Sequence, residues 1–401
     1  MQAMHAHPRV RNPKGLVQTT DTRARAHAAL AAAPELSDPR PMATLEALRA
    51  ALRADCPQLG DEDGEIAVRP VPTGGWCALA RTIDDRSPRA WHCTPDGSAW
   101  QIQRLDPASD RLPGAALLRD LRRLAPLLGP GRTARAVDLL AWRPGQRATA
   151  RVQCDDGSLL FLKLLSRSAF AAACDTFACC PVDQGTVRIT RPVRTDARTC
   201  ALLLPAASGT ALSAWLTAGR LPDAASLAAA LRTCATLPCR PELPLRTRAH
   251  ERESTLKMLT RGSEWLPDLQ ALQAQIAARP LHERAVTALI HTDLHDKQVF
   301  LADDGTLTLI DCDGLRRGDP WLDWINLAEH LHLRVRQGTA PPAAAQLADD
   351  LLARLPDPPP DRHLLHALVR ARLAGLYAQR TGGHDLARHL AVGAQDSLGG
   401  G

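Results

Sequence analysis

The stretch His291–Asp313, HTDLHDKQVFLADDGTLTLIDCD, decides the reading of this chain. Two short apolar runs, Val299–Leu301 and Leu307–Ile310, flank Asp303-Asp304-Gly305. Strand-forming residues on either side of D-D-G predict two antiparallel strands joined by a tight turn. Folding back there carries Asp311, at the end of the second strand, towards Asp293 and Gln298 before the first. Mg²⁺ takes hard oxygen ligands and keeps several waters, so one or two carboxylates plus phosphate oxygens suffice to hold it. Asp311 and Gln298 are therefore the expected metal ligands, with Asp313 as a second-site ligand. Asp293 is left free to orient and deprotonate an attacking hydroxyl. A base, a neutral oxygen donor and an acid pair gathered by one hairpin are what metal-assisted phosphoryl transfer requires. Any one of these acids alone reads more readily as an ordinary solvated loop residue; the ordered set does not.

The next segment, Arg316-Arg317-Gly318-Asp319-Pro320-Trp321-Leu322-Asp323, leads into an apolar helix from Trp324 to about Leu333. Asp319 before Pro320 reads as a helix N-cap with proline at the first helical position. Asp323 falls in the first turn, where the helix dipole favours a negative charge. Both are expected to brace the catalytic loop rather than touch substrate.

Taken together, these residues resemble the aminoglycoside phosphotransferase and choline kinase superfamily, relatives of the protein kinases. The resemblance rests on His291-Thr292-Asp293…Gln298, on Asp311-Cys312-Asp313, and on Gly318-Asp319-Pro320…Asp323. The family's catalytic loop reads H-x-D-x-x-x-x-N, so Gln298 stands where the family usually has Asn. The resemblance implies an α+β, bilobal protein-kinase-like fold, with a small antiparallel-sheet amino-terminal lobe and a mainly helical carboxy-terminal lobe. It implies ATP or another nucleoside triphosphate, Mg²⁺, and a small-molecule hydroxyl acceptor such as a sugar, an amino alcohol or an aminoglycoside-like compound. A pseudokinase, a nucleotide-binding or scaffold protein with weak or no catalysis, is the alternative.

A kinase needs a lysine upstream for the nucleotide phosphates. The chain has only four lysines, Lys14, Lys163, Lys257 and Lys297. Lys163 sits within Leu159–Leu165, an apolar run after the turn Asp155-Asp156-Gly157. An ammonium in such a strand must reach a cleft, a partner or solvent, because burying it unpaired is costly. Two further strands precede it, Leu139–Trp142 and Ala148–Cys154, joined by Arg143-Pro144-Gly145-Gln146-Arg147. This turn resembles the one small-molecule kinases use in place of a glycine-rich loop. In kinases this lysine pairs with a helix acid, but the following helix, Arg167 to Phe177, has no glutamate. Asp175, with Asp183 just beyond, is the acid on offer there. Two strands, Thr186–Ile189 and Cys200–Leu204, lead to a hinge at Leu202–Gly209, which reads equally as an adenine-binding link or as a plain strand-to-helix connection.

Composition fits an enzyme of this size. The 401 residues are 45% hydrophobic, enough for two or three cores. No apolar run approaches the ~20 residues that span a bilayer. The net charge of +6 is spread out, with no basic stripe interleaved with aromatics to suggest nucleic acid. Eleven cysteines without C-x-x-C spacing read as reduced thiols of a cytoplasmic protein. His291 and His295 form H-x-x-x-H but lack the acid partner and helix of a zinc site, so His291 is expected to support its loop.

The domain expectation is an amino-terminal extension over residues 1–110, a kinase-like lobe over 111–206 and a helical lobe over 207–401. Within the extension, a short helix is expected near Thr22–Ala33, an amphipathic helix at Met42–Ala54, and strands at Trp76–Ile83 and Ala99–Leu105. A helix at Ala115–Leu127 should lead into the lobe. The carboxy-terminal helices should include Leu212–Trp215, Ala224–Cys234, a long or broken one over Arg246–Ala278, Leu364–Tyr377 and Leu386–Val392. A loose tail is expected from Ser397. The closing helices mix acids with Arg354, Arg370, Arg372 and Arg388, so no acidic funnel for a polycation is apparent.

Overall fold

Leucines four apart mark the first described helix. Residues 42–59, 66–70, 76–81, 88–96, 99–181, 183–284, 287–380 and 382–399 are described in this computed structural model. The helix expected at Thr22–Ala33 lies outside them. Helix α1 (Met42–Asp55) stacks Leu48 and Leu52 on a meander of four antiparallel strands, β1 (Ala67–Pro70), β2 (Trp76–Arg81), β3 (Pro88–Asp96) and β4 (Ala99–Arg104). Trp91, fully buried, donates its indole N–H to Asp55 at 2.7 Å, which satisfies the one polar atom it takes inside. Strands β1 and β3 were not expected: β1 is four residues ending in proline, and β3 contains two prolines, which argue against a strand. This small sheet touches both halves of the remaining structure. Cys77 and Ala90 join the core of the next sheet, while Trp76 meets Trp265 edge-to-face at 4.9 Å, and Val68 N–H donates to the Gln379 carbonyl.

The expected helix Ala115–Leu127 is instead two 3₁₀ turns, Ala115–Leu118 and Leu121–Leu124, and one α-turn, α2 (Ala125–Leu128). Asp120 takes extended backbone and its carboxylate accepts from Arg122 N–H, a local bond that competes with helix continuation. Then follow β5 (Ala134–Arg143), β6 (Arg147–Cys154) and β7 (Leu159–Leu165). Alternate residues Ala148, Ala150, Val152 and Cys154 of β6 and Leu160, Leu162 and Leu164 of β7 face one core, as a period of two demands. Lys163 and Leu165 consequently fall on the opposite face, where α3 (Arg167–Ala178) packs Phe170 and Ala173 beside Leu165. The tip of the β5–β6 hairpin is held from outside it: Asp110 accepts from Gly145 N–H at 2.8 Å and from the Trp142 indole at 2.6 Å. Strand β8 (Val187–Ile189) leaves this sheet, and β9 (Arg194–Asp196) and β10 (Ala201–Pro205) complete it in the order β5-β6-β7-β10-β9.

Past the hinge the chain turns helical: β11 (Thr210–Ala211), α4 (Leu212–Thr217), α5 (Ala224–Thr236), β12 (Leu245–Arg246), α6 (Arg248–Ser263) and α7 (Leu269–Ala278). The region Arg246–Ala278 is thus broken, as one of its two readings had it. Next come β13 (Ala288–Ile290), β14 (Val299–Leu301), β15 (Leu307–Leu309) and β16 (Arg316–Gly318). Helices α8 (Trp321–Arg336), α9 (Ala343–Ala353), α10 (Arg362–Ala378) and α11 (His384–Gly399) close the lobe. Helix α8 is buried on nearly every side over Trp321–Leu331, so it is the central post of the largest core. Helices α6 and α10 cross where Gly262 meets Gly375; a Cβ on Gly375 would lie 2.6 Å from the Met258 carbonyl oxygen. The loose tail expected from Ser397 is part of α11, with Leu398 buried. No helix among the described residues is long and apolar enough to cross a membrane. No disulfide joins the eleven cysteines.

Candidate active site

The predicted hairpin forms: Val299 faces Leu309, and Leu301 faces Leu307, across an antiparallel pair. Just before β14, Gln298 accepts at its carbonyl from Ile310 N–H, so the backbone of the proposed oxygen donor is stitched to the strand that delivers Asp311. Asp311 itself is left-handed at φ 62°, and the 3₁₀ turn Cys312–Gly314 swings Asp313 round beside it. Both carboxylates meet the same cation. Lys163 Nζ lies 2.5 Å from Asp311 Oδ1 and 2.5 Å from Asp313 Oδ1. The lysine is 4% exposed, which excludes the reading of an edge-strand lysine reaching solvent. Burial pushes the Asp311 carboxyl up, but the Lys163 charge and its hydrogen bond outweigh it and hold the carboxyl below the ordinary range.

The loop carrying Asp293 is tied down at both ends. Asp323, buried in the first turn of α8, accepts from Thr292 N–H at 2.8 Å and from His291 N–H. This brace holds Thr292 at φ 71°, a conformation a β-branched residue seldom adopts. Burial raises the Asp323 carboxyl above its usual value, against the pull of His291 and the two backbone donors. One helical turn on, Asn326 donates to the Leu294 carbonyl at 2.8 Å. The His291 ring donates from Nε2 to the Ile310 carbonyl at 2.7 Å, and the Thr292 hydroxyl reaches the Gly314 carbonyl at 3.4 Å. These two bonds join the loop to the residues just before Asp311 and just after Asp313. His291 supports its loop, as expected, and His295 turns away to stack on His330 at 4.7 Å. Asp293 stands out of the loop with its side chain 57% exposed, 3.9 Å from Arg372 Nη1.

Of the residues singled out by sequence, Lys163, Asp311 and Asp313 converge directly. Gln298 and Asp293 are linked to them through backbone and loop contacts rather than by a side-chain bond. Asp319 caps α8 from one residue further out than expected: its carboxylate accepts from Trp321 N–H while Pro320 takes the N-cap place. The helix acid sought for Lys163 does not supply its partner. Asp175 is exposed on α3, and Asp183 accepts from Ile189 N–H. Sequence reasoning missed the network beneath the loop. Arg248, 1% exposed, forks between Asp319 at 2.8 Å and Asp361 at 2.6 Å. Glu251 sits between Arg246, 2.7 Å from Oε2, and Arg372, 3.4 Å from Oε1. Nothing in R-T-R-A-H-E-R-E marks Arg246, Arg248 or Glu251, because their partners lie on other elements.

The donor set suits a hard divalent cation. Gln298 Oε1 is buried without a hydrogen-bond partner, and such an orphan oxygen calls for a ligand or ion. Asp311 and Asp313 each turn one oxygen to Lys163, leaving the other for coordination.

A small antiparallel lobe whose buried lysine reaches an acid turn on a helical lobe defines a bilobal, protein-kinase-like fold. The sequence profile of the phosphotransferase enzyme family matches residues 162–364, just over half of the chain, and the protein belongs to that family. Its residues 162–364 run from the lysine strand through the acid turn into α10. No curated protein matches the chain in sequence. Solved structures to which it is similar include a ternary complex of a thermostable mutant of aminoglycoside phosphotransferase APH(4)-Ia, at 12% identity and TM-score 0.48, covering 69% of this chain and 97% of that one. The amicoumacin kinase hAmiN follows at 14% identity and TM-score 0.46, covering 65% and 88%. The macrolide 2'-phosphotransferase MphH of Brachybacterium faecium has 17% identity and TM-score 0.42, covering 70% and 97%.

Proposed function

We propose that the protein is an ATP-dependent kinase that moves the γ-phosphoryl group to the hydroxyl of a small molecule. The observation that carries this reading is the buried Lys163 ammonium held between Asp311 and Asp313. Burying these charges is worthwhile only where they serve a ligand, since a hydrophobic replacement would stabilise the fold as well or better. In this reading Lys163 meets the α- and β-phosphates, and its place on a β-strand fixes where they lie. Asp311 and Gln298 hold Mg²⁺, with Asp313 as a second ligand. Bound there, Mg²⁺ would supply charge neutralisation across the phosphates. Asp293, exposed on a loop pinned by Asp323 and Asn326, orients the acceptor hydroxyl and takes its proton. The hinge at Pro205–Ser208, which lines a cleft with Thr308 and Ile189, offers backbone groups to the base. Placement and charge carry the rate, because little covalent chemistry falls to the protein.

A pseudokinase is the second reading. It is favoured by Gln298 in place of the family's Asn and by the missing helix acid, which leaves Lys163 bonded to Asp311 rather than poised for phosphate. Calorimetry with ATP separates the two from an inert fold. Both readings predict ATP binding that Mg²⁺ tightens at least tenfold, and binding indifferent to Mg²⁺ refutes both. Single-turnover transfer to an acceptor, absent in a pseudokinase, then decides between them.

A further inference from the structure

The floor beside Asp293 is cationic. A narrow cleft opens there, lined by Arg246, Glu251, Thr292, Asn326 and Arg372 with Ile290 and Leu322. Its one carboxylate is already engaged, because Glu251 turns one oxygen to each arginine. The arginines are not saturated in return. Arg246 spends Nη2 on Glu251 and Ser254, and Arg372 spends Nη2 on Asn326 at 2.5 Å. Arg246 Nε–H is buried with no hydrogen-bond partner, whereas Arg372 Nε lies 3.4 Å from Glu251 Oε1. A guanidinium offers five N–H donors, and a buried donor left unmade is costly, so the Arg246 donor calls for an acceptor atom. Arg316 adds a third positive charge at the side, near enough to Arg246 and Asp313 to feel both. The remaining acid is Asp293, and Arg372 stands 3.9 Å from it.

We infer that the acceptor is a small hydroxylated acid, whose carboxylate or phosphate is gripped by Arg372 and Arg246 while a hydroxyl a few bonds away reaches Asp293. The inference rests on the kinase reading of the same site and names its substrate class. The short Arg372–Asp293 distance sets the span between anion and hydroxyl. A cationic amine would enter among guanidiniums with no unpaired carboxylate but the base itself. In the reaction the acceptor oxygen bonds to the γ-phosphorus, the bond from that phosphorus to the β,γ-bridging oxygen breaks, ADP leaves, and the hydroxyl proton passes to Asp293.

The test is transfer of label from [γ-³²P]ATP to matched acceptors: glycerate and glycerol 3-phosphate against glycerol, gluconate against glucose, and choline and kanamycin as cations. Expected is a kcat/KM at least tenfold higher for an acid than for its neutral partner, falling as ionic strength rises, with the cations poorest. Which acid leads, carboxylate or phosphate, identifies the anion. Arg372→Gln and Arg246→Gln should each raise KM for the acid at least tenfold with KM for ATP within twofold. Arg246→Lys, which keeps the charge but loses the fork, should fall between. Neutral or cationic acceptors turned over as well as the acids would overturn the inference while leaving the kinase reading intact. If no acceptor is labelled, calorimetry with glycerate and with inorganic phosphate decides. Binding weakened at least tenfold by Arg372→Gln supports the pocket, and binding that is absent or indifferent to it overturns the inference. Absence of Mg²⁺-dependent ATP binding, by contrast, counts against the kinase reading alone.

Discussion

Replacing Lys163 by Met removes the charge on which two lobes meet. The ammonium is buried and bonded at 2.5 Å to both Asp311 and Asp313, whose side chains are 33% and 20% exposed. Deleting one partner of a buried ion pair costs about 3–5 kcal/mol, because the other charge is left without compensation. Water reaches these two acids, which screens them, so the loss should be smaller, ~2 kcal/mol. For a chain of this length that corresponds to a fall in Tm of about 3 °C. The loss should depend on the cation supply. Mg²⁺ can take the place of the missing charge between the carboxylates, so millimolar Mg²⁺ should raise the Tm of Lys163→Met by more than it raises the wild type, closing at least half of the gap. Differential scanning fluorimetry in EDTA and in Mg²⁺, with no nucleotide, reads both effects. An unchanged Tm in EDTA, or an equal Mg²⁺ response in the two proteins, would refute the claim that Lys163 balances the acid pair.

Four further outcomes follow from the same geometry. Gln298→Leu should leave apo stability within about 0.5 kcal/mol, since Oε1 has no protein partner to lose, yet raise the Mg²⁺ concentration needed for ATP binding about tenfold, read by calorimetry. Asp323→Ala leaves two buried N–H donors of the catalytic loop unmade and should lower stability by about 2–3 kcal/mol and kcat at least a hundredfold, whereas Asp323→Asn retains part of both. Arg248→Met strands the buried acids Asp319 and Asp361 and should cost about 3–5 kcal/mol by urea unfolding. Burial holds His330 far below its ordinary value, beside His295, Asp296, Arg334 and Arg372. A histidine lowered on folding stabilises fully above the unfolded value near 6.5 and loses that stability as pH falls. Wild type should therefore lose about 1 kcal/mol between pH 6.5 and 5.5 that His330→Phe does not lose, measured by unfolding at each pH.

What was legible in the sequence was local or periodic. The D-D-G turn between two apolar runs gave the hairpin, alternation gave β6, and a lone lysine in an apolar strand pointed to a buried partner. Identifying that partner was beyond reach, because Asp311 lies 148 residues from Lys163. The nearer acid, Asp175, looked suitable only because it follows the lysine in the next helix, and helical phase turns it outward. Short elements also escaped. Strands β1 and β3 carry prolines, and the Ala115–Leu127 segment is apolar enough for a helix until the Asp120 carboxylate bonds to Arg122 N–H and stops it. The arginine floor beside Asp293 shows the same limit. Arg246, Glu251 and Arg372 come from β12, α6 and α10, and the α6–α10 crossing at Gly262 and Gly375 brings the helices close. Asp323 was read as favourable to the helix dipole, and its greater task, holding two N–H groups of the loop, depends on β13 ending against α8.

In the proposed kinase, Asp293 is the group that receives the acceptor's proton. Its most direct test is the transfer of γ-phosphoryl label to the best acceptor by wild type and by Asp293→Ala, at saturating Mg-ATP. Transfer should fall at least a thousandfold while ATP binding, measured in parallel, stays within threefold. Label reaching the acceptor at the wild-type rate from the alanine variant would contradict it.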